Sequence, residues 1–298
     1  MVFPNPSLLR AEWQKVVKNY TLMGFLVWLY PIGLAAFFIM AVIAALVSER
    51  VQQAMISTGS GQWTSNMLGT WVFVTSFPIN IFPRMLPLAF MAVVFASEYQ
   101  SGMWKNLVPR SRRISLILAK FVILILVVTI SIILCSLVIG IGQVLSHRAA
   151  GVAYGPAVTL EVLSDFLGGY TREALLGMAS LVVLAEYAAL AALLTRSILG
   201  GLLAGFGLSV LEPMSFTILV LTGSFLNKPG IINLYRFTPT YSIGNIRSWL
   251  VSNLPFTQVD ANFTAQPGLA FSSIVLGAWI IGLILLVISI FERQDIVS

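Results

Sequence analysis

The chain has 298 residues, of which 58% are hydrophobic and only 9% charged, with a mean hydropathy of +0.93. A soluble domain carries about 25% charged residues, so too little polar surface remains here to cover a water-soluble globule. The net charge of +6 and pI near 9.7 do not point to nucleic acid, because the basic residues gather at the ends of apolar runs, where anionic lipid headgroups are their simplest partners.

Residues 7–20 place Leu9, Trp13, Val16, Val17 and Tyr20 at helical spacing, with Arg10, Lys15 and Lys18 elsewhere on the wheel. The pattern predicts an interfacial helix along a membrane, with Trp13, Lys15 and Lys18 at the headgroups. Beyond it, six apolar segments reach the ~20 residues needed to cross the hydrocarbon: 22–47, 71–96, 116–142, 174–194, 198–222 and 270–291. Their apolar runs are continuous rather than alternating, which selects helices over a barrel. The first run exceeds the roughly 7–15-residue core of a signal peptide and reads as a retained span. Trp13, Trp63, Trp71, Trp104 and Trp249 fall at or beyond span ends, as an aromatic girdle does. The expectation is an all-α integral membrane protein with one transmembrane domain over 1–298.

The second span is irregular. Pro78, Pro83 and Pro87 each remove a backbone donor, and Arg84 sits near its middle. Glu186 lies in the fourth span, and Glu212 with Pro213 in the fifth. A charge at the bilayer centre costs about 2.5–3.5 kcal/mol, so such residues face a partner or a watery cavity. At ~1.5 Å rise per residue, both glutamates fall within roughly 3 Å of their span midpoints, at a depth to meet Arg84. A structural ion pair and a place in a transport pathway are both open readings. Spans two and five, broken and charged, are the candidates to line such a pathway.

Residues 98–120 form a basic connector between spans two and three, holding Lys105, Arg110, Arg112, Arg113 and Lys120 among the seventeen Lys and Arg of the chain. Such a cluster keeps a loop cytoplasmic. With both termini inside, the cytoplasmic pieces carry ten Lys or Arg and the longer opposite loops six, so that orientation is expected. The opposite loops 143–173 and 223–269 contain Leu160, Leu163, Phe166 and Leu167, and Ile243, Ile246, Trp249 and Leu250. These amphipathic patterns predict short helices that cap or re-enter the outer leaflet, since loops this long are seldom structureless. The only cysteine, Cys135, lies in an apolar run and excludes an intrachain disulfide.

On these residues the chain resembles the permease subunits of type-2 ATP-binding-cassette transporters. The resemblance rests on Leu9-Arg10-Ala11-Glu12-Trp13-Gln14-Lys15, six spans, Glu98 closing the second span, Gly102, Leu107, Pro109, Ser111 and Arg112, then Lys120 opening the third. Met103 stands where such permeases usually carry threonine. The resemblance implies a coupling helix in the connector, with Glu98, Gly102, Met103, Trp104, Leu107, Pro109 and Arg112 docking on a separate ATPase. It implies two ATPase subunits that hold ATP and Mg, a second permease copy or homologous permease, and no cofactor in this chain. It also implies a multi-pass place in the cell (inner, cytoplasmic) membrane and export of an amphipathic drug, antimicrobial peptide, lipid or glycolipid.

The residues themselves agree that this is not an enzyme. None of the five lysines follows a glycine, so there is no phosphate loop, and the single histidine, His147, excludes a two-histidine zinc site within one chain. Two other functions compete with transport driven by ATP. An ATP-independent carrier or channel would use Arg84, Glu186 and Glu212 as coupling-ion residues. A membrane-embedded enzyme would need a His/Asp/Glu/Ser constellation that the sequence does not display.

Overall fold

The computed structural model describes residues 5–57, 62–75, 81–102, 112–257 and 263–294, and among them every regular element is helical. Helix α1 (Pro6–Val17) starts where the Asn5 side chain accepts the Ser7 N–H at 3.4 Å and Pro6 fixes the first turn. Helix α2 (Tyr20–Val47) contains a π turn at Gly24–Trp28. There follow α3 (Glu49–Ser57), α4 (Trp63–Thr75), α5 (Ile81–Gln100), α6 (Arg113–Ala149), α7 (Leu160–Thr195) and α8 (Ile198–Phe225). A 3-10 segment (Pro229–Phe237), α9 (Pro239–Ser252) and α10 (Leu269–Arg293) complete the chain.

Five of these, α2, α6, α7, α8 and α10, are long and apolar enough to cross a membrane. The segment expected as span two is not one helix among the described residues. It is carried by α4 and α5, on either side of 76–80, and Pro78 lies outside the described residues. Helix α5 has 20 residues, enough for the hydrocarbon, but Arg84 and Glu98 dilute its apolar character. Pro83 falls in its first turn, where a missing N–H breaks no internal bond, so only Pro87 interrupts the helix interior.

The loop expected over 143–173 is mostly helix. Helix α6 continues to Ala149 and α7 begins at Leu160, so the run 160–167 forms the opening turns of α7 rather than a separate short helix. Thr159 Oγ1 caps α7 by accepting the Val162 N–H at 3.2 Å. The intervening turn uses Gly151 and Gly155 at φ +74 and +78, values that favour glycine. Polar residues past the end of a span do not stop a helix; it ends here where glycine and a cap allow the chain to turn.

The packing divides into two compact units. Unit 1 comprises Met1–Lys18, Ser76–Ile125 and Met178–Ser298, and unit 2 comprises Asn19–Thr75 and Leu126–Gly177. In unit 2, buried serines stitch helices together: Ser131 Oγ donates to Val27 O at 2.8 Å and Ser136 Oγ to Met67 O at 3.0 Å. Trp71, expected in the interfacial girdle, is instead fully buried in this unit, with Tyr170 edge-on at 6.3 Å. Gly177 makes room for it, since a Cβ there would overlap the Trp71 ring. Gly177→Ala is therefore expected to destabilise by about 1–3 kcal/mol through overpacking, despite alanine's better helix propensity. Thermal unfolding in detergent measures it, and an unchanged midpoint would refute this account of Trp71.

In unit 1, Leu88, Phe90, Met91, Phe95, Leu116, Ile117 and Phe291 are buried together with the alanine-rich face of α7. Gly201 and Gly205 of α8 meet that face, where added Cβ atoms would stand 3.2 Å from Ala192 Cα and 3.5 Å from Ala188 Cα. Their small-residue spacing serves packing within this chain. Helices α9 and α10 are pinned by buried Asn245, whose Nδ2 donates to Ser272 Oγ at 2.8 Å and Pro267 O at 3.0 Å.

Candidate functional site

Helix α5 ends where the connector begins. The Ser101 N–H closes the last turn on Ser97 O at 2.9 Å, and Gly102 then turns left-handed at φ +65. Only glycine takes that conformation readily, so the chain leaves α5 abruptly.

One turn before this exit, Glu98 points into a closed group of charges. Glu98 is 0% exposed, Lys120 1% and Glu12 4%. Lys120 Nζ lies 2.8 Å from Glu98 Oε1 and 3.1 Å from Glu12 Oε2, while Lys15 contacts Glu98 and stands 3.9 Å from Glu12 Oε1. Two carboxylates and two ammonium groups thus share one site built from α1, α5 and α6. Removing charges from water costs several kcal/mol per ion, and only close mutual pairing offsets it. Burial, and then repulsion from Lys120, push the Lys15 ammonium down to about 8.

The returning end of the connector is tied just as firmly. Arg113 Nη1 donates to Phe291 O at 3.0 Å, Glu292 O at 2.7 Å and Gln294 O at 3.0 Å. This places a cation on the C-terminal carbonyls of α10, where the helix dipole favours it. Tyr99 donates its hydroxyl to Gln294 Oε1 at 2.5 Å, and Gln294 Nε2 donates to Leu193 O at 2.8 Å, near the end of α7. Both ends of the connector are therefore fixed to α1, α7 and α10 within unit 1.

Among the residues expected to dock on an ATPase, Glu98, Gly102 and exposed Arg112 are placed as above; Met103, Trp104, Leu107 and Pro109 lie outside the described residues. Glu98 faces inward, into the charge cluster. Of the expected interfacial residues, Lys18 is exposed, Trp13 is half-buried, and Lys15 has joined the charge cluster.

The charges expected within the membrane separate into two groups. Glu212 sits midway along α8 and accepts twice from Thr240, from its N–H at 3.1 Å and its hydroxyl at 2.7 Å. Thr240 is the second residue of α9, whose cap, Thr238, accepts the Tyr241 N–H at 3.2 Å. A carboxylate at a helix N-terminus satisfies orphan donors and the dipole together. This contact brings the start of α9 to the middle of α8. Arg84 is buried, and no ion pair within 4.0 Å joins it to Glu212 among the described residues. Glu186 is fully enclosed, and neither of its oxygens has a hydrogen-bond partner among the described residues.

Sequence reasoning missed Glu12, Arg113, Tyr99, Gln294 and Thr240 as partners. Glu12 carried a usable signal: an acid three residues before Lys15, on the face of α1 that holds Val16. The others carried none, because their partners are distant in the chain.

A family model described as ABC-2 family transporter protein matches residues 8–201. The match takes in the charge cluster, the connector, Arg84 and Glu186, and stops before Glu212. No curated protein and no solved structure matches the chain.

Proposed function

Given that the chain belongs to the ABC-2 family of transporter membrane proteins, we propose that it is the permease subunit of an ATP-driven exporter whose connector takes up the motion of separate ATPase subunits through its 98–109 loop. The observation that carries this reading is the double anchorage of that connector. Its start is held by Glu98 in a buried charge group and its return by Arg113 on the end of α10. A push arriving at either described end of the connector would thus be delivered to α1, α5, α6 and α10.

In this reading two ATPase subunits hold ATP and Mg, and a second copy of this chain or a homologous permease completes the pathway. The ATPases work on the cytoplasmic side of the cell membrane, where both termini also lie. Met103, Trp104 and Leu107 are the apolar docking contacts. Arg84, Glu186 and Glu212 are the polar groups along α5, α7 and α8, and so few of them suit an amphipathic cargo.

The test is co-purification with the ATPase encoded nearest to this chain, followed by transport in proteoliposomes. Trp104→Ala and Leu107→Ala are each expected to weaken the complex at least ten-fold, and transport to stop when the ATPase's phosphate-loop lysine is replaced. Transport by this chain alone, driven by a proton gradient without nucleotide, would replace the reading with a carrier.

A further inference from the structure

Unit 2 contains a pocket that the transport reading does not use. It has a volume of about 680 Å³ and runs along the last turns of α6, between Leu137 and Arg148. That volume lies within the range of small-molecule sites, roughly 300–1,000 Å³. The 12 residues from Leu137 to Arg148 correspond to a length of about 16 Å along the helix.

The walls are preformed. Trp63 Nε1 donates to Pro156 O at 3.1 Å, which ties the 153–158 turn to α4. Asn66 is hydrogen-bonded to both Gln143 and Tyr154, which fixes the Tyr154 ring beside His147 at 4.3 Å. Gly140 supplies the floor: a Cβ there would stand 2.6 Å from Met67 Sδ. On the open side Leu137, Ile141 and Leu145 are exposed, one helical turn apart. Around a membrane-spanning helix, the medium these side chains meet is lipid hydrocarbon.

The groove changes character at one end. Arg148 closes it, is exposed, and forms no ion pair among the described residues. Trp63 and Tyr154 flank the same end, as amphipathic rings do at headgroup level. The predicted span ends at Gly142, so the apolar part of the groove lies toward the hydrocarbon and Arg148 about two turns beyond it.

We propose that this groove is a binding site for an anionic phospholipid, one acyl chain lying along Leu137, Ile141 and Leu145 with the phosphate group against Arg148. The apolar length selects a chain; the lone guanidinium selects an anionic head over a zwitterionic one. Because it does not depend on ATP or on the connector, the site stands or falls separately from the exporter reading.

The experiment uses the full chain in phosphatidylcholine vesicles doped with a phospholipid carrying a photoactivatable acyl chain, offered as phosphatidylglycerol or as phosphatidylcholine. Labelling is read by mass spectrometry on the peptides covering 137–158. The phosphatidylglycerol probe is expected to label them about five-fold more than its zwitterionic counterpart, the preference expected of one interfacial arginine. Arg148→Gln removes that excess and leaves phosphatidylcholine labelling unchanged, Arg148→Lys retains it, and Gly140→Leu lowers both by filling the floor. Since Arg148 is exposed, the first two variants remain interpretable even if Gly140→Leu fails to fold. Equal labelling by the two probes, an excess that survives Arg148→Gln, or label confined to other peptides would each overturn the proposal.

Discussion

Replacing Lys120 by methionine is expected to lower stability by about 3–5 kcal/mol, the cost of leaving a buried charge without its partner. In this chain the orphaned charges are Glu98 and Glu12, both of which lie within 3.1 Å of the Lys120 ammonium. Lys15 alone would then face two carboxylates, and it is itself partly exposed. The loss should appear as a lower unfolding midpoint in detergent and a reduced yield from membranes. A double variant, Lys120→Met with Glu98→Gln, removes one charge of each sign and should recover a large part of the loss. That recovery distinguishes electrostatics from a simple change of side-chain shape. A single variant that melts like the wild type would mean that the four charges contribute nothing to stability.

Glu212→Leu should detach α9 from α8. The carboxylate accepts two hydrogen bonds from Thr240, and bonds to a charged acceptor contribute about 1.5–3 kcal/mol each. Allowing for shared geometry, the expected loss is about 2–4 kcal/mol. Glu212→Gln keeps a carbonyl acceptor for the Thr240 N–H and should cost less than half as much. Hydrogen exchange reports the effect locally: amides in the first turns of α9 should exchange at least ten-fold faster in the leucine variant, while those of α1 stay unchanged. Unaltered exchange in α9 would show that this helix is held by other contacts, such as Asn245 with Ser272.

The long apolar helices were legible because lipid imposes a simple rule: a continuous apolar run must satisfy its own backbone, and only a helix does so within one segment. Where the rule weakens, so did the reading. The run 71–96 reads as one span by apolar content alone, which does not register that its described residues fall in two helices, α4 and α5. The stretch 143–173 looked like a loop because Arg148, Asp165, Arg172 and Glu173 interrupt the hydropathy, yet charge beyond the hydrocarbon is compatible with continued helix. Pairing was the least legible of all. A charge at a span end shows that a partner is needed, but Lys120 finds Glu12 across 108 residues and Glu212 finds Thr240 across 28. No local pattern carries that information.

The four charges holding α1, α5 and α6 together sum to zero. An assembly with no net charge does no work against a transmembrane voltage when it shifts, whereas one uncompensated charge carried across the whole field would experience about 2.3 kcal/mol per 100 mV. The cluster, moving as a unit, therefore adds no gating charge of its own. Taking away one lysine would make the same movement sense the membrane potential.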